Sequence, residues 1–359
     1  MVSPRPHILN TKPYKPGGKL EASSGPPIML ASNEAPFGPS PKAIAAMQAA
    51  VAGVHVYPDP KYTALRDTIR RVKGLDDIER ILLGSGSDEL INLLIQAYAG
   101  PWDEVLYSEF GFSMYPTYTL SHGATPVAAR ETDLETDVDA MLAAVTSSTK
   151  LCFVANPNNP TGSCLPVSEL RRLRAGLPED VLLIVDGAYL ECTSVAFEAE
   201  TQEFAVSTPG VAMIRTYSKL PGLAALRLGW GYFPTDVANY IQRIRSPFNI
   251  NAMAVAAGIA AMEDQAFISD SRDYVIKARE ELTRKLETMG LEVNPSNANF
   301  VLVKFKSPEA AAGAAAFLRS QNILVRETAS YGLPDRLRIT IGAPDDLSKL
   351  VEALGQHLS

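Results

Sequence analysis

The strongest constraint on the fold is a repeat of short apolar runs, each followed by a turn or a helical stretch. "ERILLGSG", "DEVLYS", "ATPVAA", "KLCFVA", "DVLLIVD", "VAMIRTY" and "LRLGWGYF" follow one another between residues 79 and 233. Strands covered on both faces read as continuous apolar runs, and helices between such runs mark β–α–β units. "PKAIAAMQAAV" and "SDELINLLIQAYA" look helical, the second with its apolar residues at helical spacing. The expected fold is therefore α/β, with a mostly parallel central sheet flanked by helices.

At 359 residues the chain has room for more than one domain. Residues 1–40 hold many Pro and Gly without sustained periodicity and read as an extended N-terminal arm. Residues 41–262 form the large α/β domain, closing on "AMAVAAGIAAM", which is too short to span a bilayer and reads as a buried helix. From 263 the character changes. "AFISDSRDYVIKAREELTRKLETMG" predicts a long charged helix with Gly290 at its stop, and "NFVLVKF", "AAAFLRSQ", "ILVRE" and "LRITIG" predict a smaller α+β domain over 263–359.

The net charge of −7 argues against a general nucleic-acid binder, which needs a basic face. It leaves room for a local cationic pocket and an anionic small molecule. The three cysteines form no CxxC pair, and "MVSPRPHILN" has no apolar core of a secretory signal; both fit a reducing, cytoplasmic compartment and no membrane partner. The four histidines lack metal-ligand spacing, so no metal is expected.

Four local patterns carry chemistry. In "RTYSKLPGLAALRLGW" a lysine, Lys219, sits among apolar and small residues, with Ser218 before it and Arg227 eight positions after. Apolar surroundings make a lysine lose its proton easily, and the neutral amine is a nucleophile; a lysine snorkelling from a core edge fits this segment alone equally well. "LLGSGSDELI" runs strand, glycine turn, helix, and is either an anion cradle on free backbone N–H groups or a plain helix start capped by Ser87. "ANPNNPTGSCL" fixes a turn at a strand's carboxyl end, where α/β proteins bind ligands, although an Asx-turn explains it too. Asp186 ends the apolar run "LLIVD", with Tyr189 three residues on; a carboxylate there calls for a cationic partner. A lysine nucleophile, a buried acid, a tyrosine, an asparagine and an anion site together suit pyridoxal 5'-phosphate.

The order "NEAPFGPSP", "YPDPKYTALR", "GSGSDE", "NPNNPTG", "DGAY", "SKLPGLAALRLGW" and "YGLPDRLRITIG" resembles the fold-type I aminotransferases of classes I and II, and within them the histidinol-phosphate aminotransferases. The match runs over nearly the whole chain. The resemblance implies a homodimeric enzyme transaminating L-histidinol phosphate with 2-oxoglutarate in histidine biosynthesis, to give imidazole acetol phosphate and glutamate. An aromatic amino-acid aminotransferase and a threonine-phosphate-type decarboxylase are the alternatives on the same fold.

It further implies that Lys219 bonds the cofactor aldehyde and shuttles the substrate proton, while Asp186 faces the ring nitrogen. Tyr189 and Asn159 would bond the ring's phenolic oxygen, and Phe112 would stack on the ring. Ser87, Asp88, Thr216, Ser218 and Arg227 would surround the cofactor phosphate, and Tyr57 would reach it from the neighbouring subunit. Arg338, Arg326 and Tyr14 would bind substrate, with Asn159 beside them. The chain departs from the common family pattern at Ala35, Gly187, Leu220–Pro221 and Ala225, and in "FGFSMY".

Overall fold

The computed structural model describes residues 2–11, 13 and 26–358. Fourteen strands are found among them: β1 Ile28–Leu30, β2 Ile81–Gly84, β3 Glu104–Ser108, β4 Thr125–Ala129, the short hairpin β5 Glu131–Thr132 and β6 Glu135–Thr136, β7 Thr149–Ala155, β8 Leu182–Asp186, β9 Val211–Thr216, β10 Gly229–Tyr232, β11 Glu292–Asn294, β12 Phe300–Lys304, β13 Ile323–Glu327 and β14 Arg336–Thr340. Seven of them make one sheet in the order β2-β10-β9-β8-β7-β3-β4. Every pairing from β9 to β4 is parallel, and β10 alone runs against its neighbours β2 and β9. The expected α/β fold with a mostly parallel sheet is what the chain adopts.

The apolar runs explain the sheet's centre. β8 and β9 are buried along their whole length, so side chains on both faces leave water. Helices α1 (Pro41–Ala50), α2 (Thr63–Lys73), α3 (Ser87–Tyr98), α4 (Met114–Ser121), α5 (Val138–Ala143), α6 (Val167–Gly176), α7 (Val195–Ser207), α8 (Thr235–Ile244) and α9 (Ala252–Glu263) accompany these strands along the chain. Local chemistry sets several of their starts: Ser40 caps α1 by accepting the Ala43 N–H at 3.2 Å, and Asn251 caps α9 by accepting that of Ala254 at 2.8 Å. The parallel strands β7 and β8 end together at Ala155 and Asp186 and β9 runs two residues further to Thr216, so their carboxyl ends lie along one edge. Because β10 is antiparallel, its first residue Gly229 pairs with Thr216, which brings the preceding Arg227 to that same edge.

The predicted long helix is α10 (Gln265–Thr288), and Gly290 beyond it takes φ +81°, as a helix stop requires. It leads into a second sheet, β1-β13-β14-β12-β11, covered by α11 (Pro308–Ser320) and α12 (Pro344–Leu358). β1 comes from the segment read as an extended arm, and it pairs in parallel with β13. A three-residue strand is too short to show alternation in sequence, and only the distant β13 makes it one.

A charge cluster lies behind the site edge. Arg215, with no exposed surface although it sits in the apolar run of β9, bonds Glu191 at 2.7 Å and Glu198 of α7 at 2.8 Å. Glu198 also takes Lys73 of α2 at 2.9 Å and Arg272 of α10, whose Nε donates to the Glu191 carbonyl at 2.8 Å. Burial opposes the ionised Glu198, yet Arg215 and Lys73 carry its carboxyl well below the usual range. The cluster also accounts for Gly187, since a Cβ there would meet Arg215 Cδ at 2.9 Å.

Candidate active site

A cavity of about 550 Å³ opens at the edge where β7, β8 and β9 end, and the face of β13 and β14 closes its other side. Lys219, Asp186, Tyr189, Asn159, Phe112, Ser87, Asp88, Thr216, Ser218, Arg227, Arg326 and Arg338 all line it. Residues spread over more than 250 positions of sequence thus converge on one space. Tyr57 is exposed and stacks on Phe248, with ring centroids 4.5 Å apart, and Tyr14 lies outside the described residues.

At one end the wall is built for an anion. Helix α3 starts after Gly86, which takes φ +81° and has no side chain to cap it. Ser87 is therefore the first helical residue and not the cap, which removes one of the two readings of "GSGSDE". The turn is tied down instead by Glu89, which accepts the Ser85 N–H at 2.5 Å and the Asn249 amide at 2.6 Å. A Cβ on Gly86 would sit 2.6 Å from Arg227 Nη2, so only glycine lets the guanidinium close over the helix start. Arg227 is held there by donating to the Ala224 carbonyl at 2.8 Å, with Ser218 Oγ at 3.5 Å. Uncapped N–H groups and a guanidinium at one helix start form an anion cradle.

At the centre stand an acid and a base, each pushed toward its neutral form. Asp186 accepts from Tyr115 Oη at 2.7 Å and from the Ala188 N–H at 3.1 Å. Burial, and secondarily the Asp88 carboxyl, outweigh these bonds and raise its carboxyl to about 6. Lys219 donates to the Ser32 carbonyl at 3.2 Å, and its Nζ lies 5.4 Å from the Tyr189 ring centre. Burial first, then the Arg338 charge, lowers its ammonium to about 8, against the pull of Glu34. Next to it in sequence, Leu220 is fully buried in the apolar core of the second sheet, which accounts for the bulky residue at that departure.

Tyr189 is buried, and burial raises its phenol to about 12. Asn33 donates to its oxygen at 2.8 Å, so the phenol's own proton remains to be donated into the cavity. Among the asparagines of "NPNNPTG", Asn156 is spent on the Leu165 backbone at 2.8 and 3.0 Å, and Asn158 donates to Thr161 Oγ1 at 3.0 Å. Asn159 alone faces the cavity, where its Oδ1 accepts from Arg338. Asn156 and Asn158 thus serve the loop itself, and Asn159 is the asparagine of the motif that lines the cavity.

Arg338 and Arg326 are Cα partners on adjacent strands β14 and β13, so both project from one face of the sheet. Arg338 is buried, donates to the Ala31 carbonyl at 2.7 Å and lies 5.2 Å from the Phe300 ring centre. Half-buried Arg326 stands beside it in the cavity wall and is no surface charge. The site therefore offers two guanidinium groups on one side, an anion cradle on the other, and an amine and a carboxyl between.

Sequence reasoning missed Tyr115, Tyr118, Asn33 and Ser32. Tyr118 Oη donates to Asp88 at 2.5 Å, as Tyr115 does to Asp186. Both phenols come from α4, three positions apart in "FSMYPTY", so that spacing was the available signal.

The profile of the aminotransferase class I and II family matches residues 26–354. The chain belongs to the class I and II aminotransferases, in the histidinol-phosphate aminotransferase family. It is 50% identical to the histidinol-phosphate aminotransferase of Hyphomonas neptunium, over 98% of this chain and 96% of that one. It is 47% identical to the Rhodospirillum centenum protein of the same name, over 99% and 98%. The crystal structure of histidinol-phosphate aminotransferase from Sinorhizobium meliloti, in complex with pyridoxal-5'-phosphate, superposes with a TM-score of 0.90 at 26% identity, covering 100% of this chain and 98% of that one. Among the described residues, no helix is long and apolar enough to cross a membrane and no cluster of candidate metal ligands occurs.

Proposed function

We propose that this chain is a pyridoxal 5'-phosphate-dependent aminotransferase that exchanges the amino group of L-histidinol phosphate with 2-oxoglutarate, giving imidazole acetol phosphate and glutamate in histidine biosynthesis. The observation that carries the reading is the convergence of Lys219, Asp186, the α3 cradle and the Arg326–Arg338 pair on one cavity.

The donor set fits the cofactor group by group. The α3 backbone at Ser87 and Asp88, with Thr216, Ser218 and Arg227, would hold its phosphate. Phe112 would lie against the ring, and Tyr189 with the Asn159 amide would donate to the phenolic oxygen. Asp186, raised to about 6 by its burial, would meet the protonated ring nitrogen. Lys219 would supply the amine. When bound, the cofactor supplies an electron sink for the bond broken at the carbon that bears the amino group.

The chain's own groups do the rest. With its ammonium lowered to about 8, Lys219 Nζ can take a proton and return it near neutral pH. Asp186 holds a proton on the partner it faces, and the Tyr189 hydroxyl orients by donation. Arg338 and Arg326 bind the anionic end of each substrate in turn, the phosphate of histidinol phosphate or a carboxylate of the oxo acid.

The reading includes a homodimer. Val51, Val54, Val56 and Tyr57 form an exposed, largely apolar stretch, which suits an interface. Tyr57 would reach across it to the cofactor phosphate of the neighbouring subunit.

The test is a visible-absorbance titration of the loaded enzyme with L-histidinol phosphate in the absence of oxo acid. Bleaching of the visible band, and its return on adding 2-oxoglutarate, is the expected result. A band that responds to phenylalanine or tyrosine but not to histidinol phosphate would move the substrate to the aromatic amino acids. Carbon dioxide release from a phosphothreonine-like substrate would move the reaction class.

A further inference from the structure

Asp186 is presented to the cavity by a partner that none of the motifs contains. Its Oδ2 accepts from Tyr115 Oη at 2.7 Å and its Oδ1 from the Ala188 N–H at 3.1 Å, so each oxygen has one fixed donor. Tyr115 is itself buried, and its ring is clamped: it stacks on Phe153 at 4.8 Å and takes Phe112 edge-on at 5.8 Å. A phenol beside a carboxylate can only donate, and a donor to the charged form favours that form. We infer that Tyr115 is a positioning residue of the reaction, which fixes the rotamer of Asp186 and keeps it ionised for the cationic ring nitrogen, while its ring backs Phe112.

The inference rests on the reading that Asp186 faces that nitrogen. The other groups acting on Asp186 are Asp88 of α3, which favours the neutral acid, and Lys219, which favours the anion. Tyr115 is thus the one phenol donating to Asp186, and burial alone would otherwise leave the acid protonated at a pH where the cofactor needs its charge. Tyr118 on the same helix does for Asp88 what Tyr115 does for Asp186.

The experiment measures pyridoxal 5'-phosphate affinity against pH for the wild type, Tyr115→Phe, Asp186→Asn and the double variant. The melting temperature of each cofactor-free protein is recorded alongside. Removal of one charge-assisted bond predicts roughly tenfold weaker binding in Tyr115→Phe near neutral pH. The acid limb of its affinity profile should move up by as much as about one pH unit. In the Asp186→Asn background the same substitution should cost less than about twofold, because the bond it removes no longer serves a charge. Equal losses in both backgrounds, an unmoved acid limb, or a fall in melting temperature without a pH shift each overturn the positioning role. If Asp186→Asn itself binds the cofactor as tightly as wild type, the reading of the site fails and the inference with it. A weakened Asp186→Asn beside an unchanged Tyr115→Phe overturns the inference alone.

Discussion

Two groups of buried charges in this protein are treated in opposite ways. Behind β9, Arg215, Arg272 and Lys73 enclose Glu198 and Glu191, and every charge has an opposite within bonding distance. Glu198 is held firmly ionised there. In the cavity, Asp186 is raised to about 6 and Lys219 lowered to about 8, each pushed toward neutrality by burial. The first cluster pairs each charge with an opposite one and ties α2, α7 and α10 to the sheet. In the second, neutral groups do the holding: Asp186 accepts from a phenol and a backbone N–H, and Lys219 donates to a backbone carbonyl. A buried charge held only by neutral protein groups thus marks function, where one in a salt bridge marks structure.

Substitutions break that contrast in a definite order. Lys219→Ala should lower turnover by roughly 10³-fold or more, the scale of losing the amine that moves the proton, with far-ultraviolet circular dichroism unchanged. Full activity in that variant would end the account of the cavity. Glu198→Gln should destabilise the protein by about 3–5 kcal/mol in urea unfolding, because it leaves buried cations unpaired.

Asp186→Asn should act with the other sign on the cofactor-free protein. The folded carboxyl titrates near 6, above its unfolded value of about 4. Its contribution to stability is therefore full below about pH 4 and lost as the pH rises through 6. Asparagine does not titrate, so the gap between variant and wild type should open over that window to roughly 2–3 kcal/mol at pH 7. Two amide-for-carboxylate changes with opposite signs would separate site from scaffold; equal signs would dissolve the distinction. The smallest effect belongs to Arg338→Ala, which should raise the KM for histidinol phosphate roughly 10- to 100-fold. It should also raise the Lys219 amine from about 8, since Arg338 is part of what lowers it.

Much of this was legible in sequence because the site's residues sit at strand ends and in turns, where local composition carries the signal. Lys219 and Asp186 stood out as charges against apolar runs and Arg227 followed from its small-residue turn, whereas Asn159 was singled out among its neighbouring asparagines only by the family resemblance. Long-range bonds were not legible. Tyr115 reaches an acid 71 positions away, and Asn33 reaches Tyr189 across 156. Arg215 was in plain view within "VAMIRTY", yet only the fold brings it to Glu198. β1 is a strand through β13 alone, and the antiparallel course of β10 depends on β2 and β9 closing around it. Sequence pattern thus reports a residue's own environment well and its distant partners poorly.

The most direct test is to load the protein with pyridoxal 5'-phosphate, reduce it with borohydride and map the labelled peptide by mass spectrometry. The account predicts one label per chain, on the peptide that carries Lys219, and none in Lys219→Ala. A label scattered over exposed lysines such as Lys61 and Lys306, or retained in Lys219→Ala, would contradict it.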